Sequence, residues 1–223
     1  MPRDLGALEQ AVIAAQGQSA QNLERRRDIP LVLCHHRRQC AGQALAGVVI
    51  GCGGIGSQIA LRAWAFGMNI ICVDPEDIPF SPFITKTVKP DQLDEVVPQA
   101  DVVFISAPHT EKSHKMMGPK QFDLMKKGSY FIAVSRGRLY DTAALVKALD
   151  SRKLAGAGLD VFENEPDLVD PNVKGLLAHP NVIATAHAAG SSQEGLQRTN
   201  KIAAQTVIDL LNGRSIDPSC LVV

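Results

Sequence analysis

The stretch VVIGCGGIG, residues 48–56, decides the fold of this chain. Its apolar start is typical of a buried strand, and it ends in three glycines with the spacing G-x-G-x-x-G: Gly51, Gly53 and Gly56. A helix-compatible segment follows at 57–66, and a second apolar run, 68–73, ends at Asp74. Strand, glycine turn, helix, strand and acid, in this order, form the fingerprint of a dinucleotide-binding βαβ unit.

The glycines and the acid have separate roles in such a unit. Gly51 permits the tight turn, Gly53 lets the backbone approach a pyrophosphate, and Gly56 lets helix and strand pack closely. The amino end of the helix then offers free N–H groups and a positive dipole to the phosphates. Asp74 lies 18 residues after Gly56, where its carboxylate would accept hydrogen bonds from the 2′-hydroxyl of a ribose.

The residues after Asp74 favour NAD over NADP. Pro75, Glu76 and Asp77 follow it, and the sequence has no arginine nearby. A 2′-phosphate at this position would meet at least one carboxylate and a negative local field.

Composition excludes several classes of protein. The 223 residues are 45% hydrophobic, which is ample for a core, and the formal net charge is zero, which gives no electrostatic reason to bind nucleic acid or an anionic membrane. No apolar run approaches the roughly 20 residues of a transmembrane helix, and the first ten residues lack the apolar core of a signal peptide. A reduced, cytoplasmic protein is expected because the cysteines are scattered and odd in number: Cys34, Cys40, Cys52, Cys72 and Cys220.

From residue 45 onward, short apolar runs alternate with helix-compatible segments. Strands are predicted at 45–50, 69–73, 84–88, 101–106, 129–134, 155–160 and 182–185. Helices are predicted at 54–66, 91–98, 118–126, 141–151 and 191–212, and the proline-rich stretches 75–82 and 166–171 are predicted as loops. This alternation predicts an α/β fold, a Rossmann-type doubly wound parallel sheet with helices on both faces.

Three parts are expected along the chain: a helical arm and linker at 1–43, an NAD-binding Rossmann domain at 44–190, and a C-terminal helix and tail at 191–223. The linker contains C-H-H-R-R-Q-C at 34–40, whose cysteines and histidines are zinc-ligand types. The paired spacing of a zinc site is missing and no second cluster follows. A solvated basic linker is therefore favoured over a metal site.

Chemistry-bearing side chains follow the last three predicted strands. Arg136 follows the fifth strand, Glu163 and Glu165 follow the sixth, and His187 follows the seventh. Ligands of an open parallel sheet bind outside the carboxyl ends of its strands. A cation for an anionic substrate, a base for a hydroxyl proton and a carboxylate to steady the imidazolium are what alcohol-to-carbonyl redox chemistry requires.

Three blocks in this half resemble the D-isomer-specific 2-hydroxyacid dehydrogenases. AVSRGRLYD at 133–141 resembles the family block N-x-x-R-G-x-x-V-D, and GAGLDVFENEP at 156–166 resembles A-x-D-V-F-x-x-E-P. HPNVIATAHAAG at 179–190 is similar to P-N-V-x-x-T-P-H-x-x-G. With the glycine turn, four blocks in the family's order cover about residues 45–212. The resemblance implies an NAD-dependent oxidoreductase of the phosphoglycerate, glycerate and hydroxypyruvate dehydrogenase type, acting on a small anionic 2-hydroxy or 2-keto acid.

The resemblance also implies residue roles. Arg136 would bind the substrate carboxylate and carbonyl oxygen, His187 would be the general acid and base, and Glu165 would hydrogen-bond and orient His187. Glu163 is the alternative to Glu165, but the residue directly before proline matches the family block better. Asp160 would contact the nicotinamide carboxamide. The other implied cofactor contacts are Gly51, Gly53, Gly54, Ile55, Gly56, Asp74, Ala107, Pro108, Thr110, Val134, Ser135, His187 and Gly190.

The chain departs from the family in several places. Ala186 replaces the usual proline before His187, and Gly54 stands where the family often has an arginine. The family's substrate lobe, about a hundred residues, the size of one domain, is expected to be largely missing upstream. Residues 1–43 would then be the end of the inter-lobe connection and a dimer contact, which implies a homodimer. A non-catalytic, dimerising relative that binds NAD(H) stays open as the alternative function.

Overall fold

The computed structural model describes residues 44–216. The chain divides into two compact units, one ending at Ala186 and one beginning at His187. The three-part division expected from the sequence stays a prediction. Its helical arm at 1–43, with the cysteine and histidine cluster at 34–40, lies outside the described residues.

Within residues 44–186, seven parallel strands form one sheet in the order β3-β2-β1-β4-β5-β6-β7. Their bounds are β1 Ala46–Ile50, β2 Asn69–Val73, β3 Lys86–Val88, β4 Val102–Ile105, β5 Ser129–Ala133, β6 Leu154–Leu159 and β7 Val182–Ala184. β1 pairs with both β2 and β4, so the chain winds outward to one edge of the sheet and returns to wind toward the other. This confirms the doubly wound α/β fold, with a crevice for ligands where the winding reverses.

The helices of the described residues are α1 Gly54–Ala65, α2 Leu93–Val96, α3 Pro119–Leu124, α4 Thr142–Asp150 and α5 Pro171–Ala178 in the first unit, and α6 Gln193–Leu211 in the second. The helix predicted over 91–98 is shorter because prolines bracket it, and α2 lies between two 3₁₀ turns, Pro90–Gln92 and Val97–Gln99. No helix within residues 44–216 is both long and apolar enough to cross a membrane.

The helix α5 was not among those predicted from the sequence pattern. Its start carries two recognisable signals: the Asp170 side chain accepts a hydrogen bond from the Asn172 amide at 2.7 Å, and Pro171 occupies the first helical position. The predicted proline-rich loop at 166–171 therefore ends in a helix cap.

The sheet is buried on both faces. In β1, Val48 and Ile50 belong to the larger core cluster, whereas Val49 belongs to the smaller one, as expected when successive side chains of a strand point to opposite faces. The larger cluster contains a row of edge-to-face rings in which Phe131 packs against Phe122 at 5.2 Å and against Tyr140 at 5.5 Å between centroids.

The smaller cluster contains a disulfide between Cys52 and Cys72. The expectation that the cysteines are reduced is wrong for this pair. The two cysteines are 20 residues apart in sequence, so no local motif indicates that they are in contact. The parallel pairing of β1 with β2 sets Val49 opposite Cys72 and thereby brings the glycine turn beside the end of β2.

Candidate functional site

The turn between β1 and α1 requires glycine at two positions. Gly51 has a φ of 84° and donates its N–H to the Val73 carbonyl at 2.8 Å. A Cβ on Gly51 would lie well inside 3.0 Å of the Ala107 backbone, and a Cβ on Gly56 would come closer still to the Gly51 carbonyl oxygen. Side chains at these two positions would therefore push the turn, the helix and the loop after β4 apart.

Gly53 and Gly54 are glycines for a different reason. A Cβ on either one would meet no described atom within 4 Å, so packing inside the protein does not demand them. Gly53 is the N-cap of α1 and has no side chain to cap it, while the first N–H groups of a helix, from Gly54 and Ile55 onward, have no partner within the helix. This open, donor-rich surface fits the approach of a pyrophosphate.

Asp74 is tied to the glycine turn. Its Oδ2 accepts a hydrogen bond from the Cys52 amide at 2.7 Å, and its Oδ1 accepts one from the Glu76 amide at 2.9 Å. A carboxylate has about four acceptor sites on its two oxygens. Asp74 thus keeps capacity for a ribose hydroxyl while it holds the turn on the end of β2.

Lys89 contributes a positive charge that the sequence analysis missed. Its Nζ donates to the Asp77 carboxylate at 2.7 Å and to the Pro75 carbonyl at 2.9 Å. This hydrogen bond and the lysine charge hold the pKa of Asp77 below its usual range. The negative field predicted after Asp74 is therefore partly compensated by a lysine that follows β3, the strand beside β2.

The loop after β4 is fastened to the glycine turn. The Ser106 hydroxyl donates to the Gly51 carbonyl at 2.7 Å, and Ala107 is the backbone that Gly51 approaches. The Ser113 hydroxyl accepts the Thr110 N–H and donates to the Pro108 carbonyl, both at 2.8 Å. The predicted cofactor contacts Ala107, Pro108 and Thr110 therefore lie in one internally bonded loop beside the turn.

Arg136 follows β5 as predicted and is exposed. One guanidinium nitrogen donates to the Ser135 carbonyl at 2.7 Å, and the Ser135 hydroxyl and Val134 N–H both donate to the Ile105 carbonyl. A guanidinium has five N–H donors, so this bond orients Arg136 without using up its capacity to bind a carboxylate.

The loops after β5 and β6 touch through their backbones. A Cβ on Gly137 would lie well inside 3.0 Å of the Phe162 carbonyl group, so only glycine permits this approach. The Tyr140 hydroxyl adds a second link, since it donates to the Val161 carbonyl at 2.7 Å. Burial first, and then the negative charges of Glu165 and Glu163, raise the pKa of Tyr140 well above its usual range, which keeps this hydroxyl a donor.

Asp160 is buried at the end of β6. It is 5% exposed, its N–H donates to the Ala133 carbonyl at 2.9 Å, and its carboxylate accepts the hydroxyl of Thr185. Asp160 therefore lies at the same edge of the sheet as Arg136, since both follow the carboxyl ends of neighbouring parallel strands. Thr185, just after β7, is a partner that the sequence analysis did not name.

Glu163 and Glu165 have different surroundings. The Glu163 carboxylate accepts the Thr142 hydroxyl at 3.3 Å and lies 3.9 Å from Lys115 Nζ, which also pairs with Asp141 at 3.3 Å. The Glu165 carboxylate accepts the Phe162 N–H within its own loop. Glu163 thus links the loop after β6 to the start of α4. These contacts distinguish Glu163 from Glu165, which the sequence motif alone does not.

His187 and Gly190 belong to the second unit. His187 is half-buried and has a φ of 50°, a left-handed conformation that few residues other than glycine adopt. Gly190 is exposed, in a turn closed by the Ser191 N–H on the Ala188 carbonyl at 3.0 Å. Ser192 then caps α6 through the Gly195 N–H at 3.0 Å. All the other predicted site residues lie in the first unit, whereas His187 and Gly190 lie in the second.

The chain is similar in sequence to known proteins of one family. The model of the D-isomer specific 2-hydroxyacid dehydrogenase NAD-binding domain matches residues 17–189. The D-3-phosphoglycerate dehydrogenase of Methanocaldococcus jannaschii is 38% identical over 172 residues, which cover 74% of this chain and 31% of that protein.

Two solved structures are similar over most of the chain. The NAD-complexed D-isomer specific 2-hydroxyacid dehydrogenase of Lactobacillus delbrueckii ssp. bulgaricus matches with a TM-score of 0.70 and 33% identity, covering 77% of this chain and 55% of that one. The D-lactate dehydrogenase of Aquifex aeolicus, complexed with NAD and lactic acid, matches with a TM-score of 0.69 and 28% identity, over 94% of this chain and 67% of that one. The glycine turn, the open helix end and Asp74 fit the dinucleotide that both structures contain. The chain therefore belongs to the D-isomer specific 2-hydroxyacid dehydrogenase family and contains its NAD-binding domain.

Proposed function

We propose that the chain carries the cofactor half and the reacting side chains of an NAD-dependent D-2-hydroxyacid dehydrogenase. The observation that carries this proposal is the close contact of Gly137 with Phe162. It joins the loop of Arg136 to the loop of Asp160 and Glu165, at the sheet edge that also holds the glycine turn and Asp74.

The residues of the turn and strand ends would hold NAD. The N–H groups of Gly54 and Ile55 bind the pyrophosphate, Asp74 binds the adenosine ribose, and Asp160 binds the nicotinamide carboxamide. The remaining proposed contacts are Gly51, Gly53, Gly56, Ala107, Pro108, Thr110, Val134, Ser135, His187 and Gly190. Bound NAD supplies the acceptor for the hydride that leaves C2 of the hydroxy acid. NAD is preferred over NADP because the Asp74 carboxylate repels a 2′-phosphate.

Arg136 would bind the substrate. Its exposed guanidinium pairs in a bidentate manner with the carboxylate of a small 2-hydroxy or 2-keto acid and polarises the C2 oxygen. His187 takes the hydroxyl proton as hydride leaves, and returns it in the reverse reaction. Glu165 would hydrogen-bond and orient the His187 imidazole. The family's four sequence blocks support these roles of Arg136, His187 and Glu165. We also propose that the protein is a cytoplasmic homodimer.

Replacing His187 with alanine tests the function. The wild-type chain is mixed with NADH and a panel of glyoxylate, hydroxypyruvate and pyruvate, and the loss of NADH absorbance is followed. We expect His187→Ala to lower the rate by about 10²- to 10⁴-fold, the range for removal of a general acid or base. NADH affinity should fall far less, because His187 is one of many proposed cofactor contacts.

A matched control is available in the same sequence block. His179 lies before β7, at the opposite end of that strand from the proposed site, where its Nδ1 accepts the Asn181 N–H at 3.0 Å. His179→Ala should leave the rate near that of the wild type. Undiminished turnover by His187→Ala would contradict the acid and base role.

A second function is favoured by α6. None of its residues is buried in the described part of the chain, although its apolar side chains include several that are about half exposed or more: Leu196, Ile202, Val207, Ile208, Leu210 and Leu211. Such a surface suits a protein partner. A dimerising protein that binds NADH without catalysis predicts NADH binding, no oxidation by any acid of the panel, and a dimer in sedimentation.

A further inference from the structure

We propose that Cys52 and Cys72 form a reversible thiol–disulfide site that controls the geometry of the cofactor turn. Cys52 is the residue between Gly51 and Gly53, and Cys72 lies in β2, two residues before Asp74. Their Cα atoms are 6.2 Å apart, within the usual range for a disulfide. The bond therefore joins the phosphate turn to the strand that presents the ribose carboxylate.

The disulfide brackets the hydrogen bonds that hold these two parts together. The Gly51 N–H donates to the Val73 carbonyl at 2.8 Å, and the Cys52 N–H donates to Asp74 Oδ2 at 2.7 Å. Both bonds lie within two residues of a bonded sulfur. A displacement of Cys52 would act directly on the amide that orients the Asp74 carboxylate.

Reduction must displace one of the sulfurs, because two thiols cannot approach as closely as two bonded sulfur atoms. Cys72 is fully buried and lies in a strand paired on both sides, opposite Val49 in β1 and Thr87 in β3. Cys52 lies in the turn, where it is 8% exposed beside the exposed Gly53. Cys52 is therefore the residue that moves on reduction, and in the reduced state the glycine turn is held less firmly.

The same difference in exposure sets the order in which the two cysteines react. The thiolate of Cys52 attacks a low-molecular-weight disulfide such as oxidised glutathione, which forms a mixed disulfide and releases one thiol that takes up a proton. The thiolate of Cys72 then attacks the Cys52 sulfur, closes the internal disulfide and releases the second thiol. The two cysteines lose two electrons and two protons, and the external disulfide is reduced to two thiols.

Cofactor affinity should depend on this state, an effect that rests on the proposed function. A glycine turn that is already fixed in its binding geometry loses less conformational entropy when the cofactor binds. The disulfide form should therefore bind NADH more tightly. If the reduced state loses the bond from the Cys52 N–H to Asp74, NADH binding should weaken by about threefold to tenfold, the fold-change that corresponds to the net contribution of one hydrogen bond. By linkage, NADH should favour the disulfide by the same factor.

The test uses the full chain with Cys34, Cys40 and Cys220 replaced by serine, so that only the proposed pair remains. The protein is equilibrated with dithiothreitol or with oxidised glutathione. After each equilibration a sample is unfolded in urea, because Cys72 is buried in the folded chain, and its free thiols are counted by maleimide labelling and mass spectrometry. In the folded protein, amide exchange is followed at residues 51–56 and in β5 as the internal reference, and NADH is titrated by fluorescence. Cys52→Ala in the same background is the matched variant.

We expect both thiols to be labelled after reduction and neither after oxidation. Exchange at 51–56 should be faster in the reduced protein while β5 is unchanged, and Cys52→Ala should behave like the reduced protein under both conditions. Thiols that remain labelled after oxidation, or equal exchange at 51–56 in the two states, would overturn the proposal. A change in exchange without NADH binding in either state would support the thiol site and count against the proposed dehydrogenase function.

Discussion

The two halves of the ligand-binding edge are built by different means. On the β1–β2 side, close backbone approaches at Gly51 and Gly56 shape the site, and the side chains of Asp74 and Ser106 bond to the backbone of the turn. On the β5–β6 side, one glycine contact is reinforced by side chains that reach between separate segments, including the Tyr140 hydroxyl on the Val161 carbonyl and Thr185 on Asp160.

This difference decides which contacts a sequence reveals. A site made by backbone needs glycines at fixed spacing in one short stretch, and that spacing is visible in residues 48–56. A site made by side-chain bonds between distant segments leaves no local spacing rule. The Tyr140 bond spans 21 residues and the Thr185 bond spans 25.

Gly56→Ala should have the largest effect. The new Cβ would be driven into the Gly51 carbonyl oxygen, so the turn must open and α1 must move away from β1. We expect the free energy of unfolding to fall by about 1–3 kcal/mol or more and NADH binding to be lost, measured by urea unfolding and fluorescence titration. Gly175→Ala is the control: it lies exposed in α5 with no described atom within 4 Å of its Cβ, and should stabilise the chain by about 0.5–1 kcal/mol.

Gly137→Ala should destabilise the chain by a similar amount, about 1–3 kcal/mol, because its Cβ would meet the Phe162 carbonyl. Its effect on function should differ, since the glycine turn and Asp74 lie on other strands. We expect NADH affinity to change far less than in Gly56→Ala. If both variants lost NADH binding equally in the same titration, the division of the site into two halves would be wrong.

Tyr140→Phe should have a smaller effect. It removes the hydrogen bond to the buried Val161 carbonyl, which should cost about 0.5–1.5 kcal/mol in urea unfolding.

The pH dependence of Tyr140→Phe gives a second readout. The pKa of Tyr140 is raised in the folded chain from the ordinary value of 10.0, so only the unfolded chain releases this proton above about pH 10, and the tyrosine contribution falls as pH rises. The stability difference between wild type and Tyr140→Phe should therefore shrink above that pH. A constant difference from neutral pH to pH 11 would contradict the assigned environment.

Much of the fold follows from sequence because its strands are short apolar runs separated by turn residues. The seven predicted strands lie within two residues of the observed bounds at each end. The Cys52–Cys72 bond and the role of Lys89 depend on which strands become neighbours. The start of α5 lies in a proline-rich stretch that is also typical of a loop, so its helix cap was not distinguished. The different engagement of Glu163 and Glu165 depends on Thr142 and Lys115, which lie more than 20 residues away in sequence.

The glycine turn and Asp74 are proposed to hold NAD, and cofactor titration of wild type, Asp74→Ala and Asp77→Ala tests this most directly. Asp77 is an exposed neighbouring carboxylate paired only on the surface with Lys89, so its variant controls for charge. We predict saturable binding of NADH by the wild type, tighter than that of NADPH. Asp74→Ala should weaken NADH binding by about tenfold to a hundredfold, and Asp77→Ala should change it little. Equal affinity for NADH and NADPH, with no loss in Asp74→Ala, would contradict the claim.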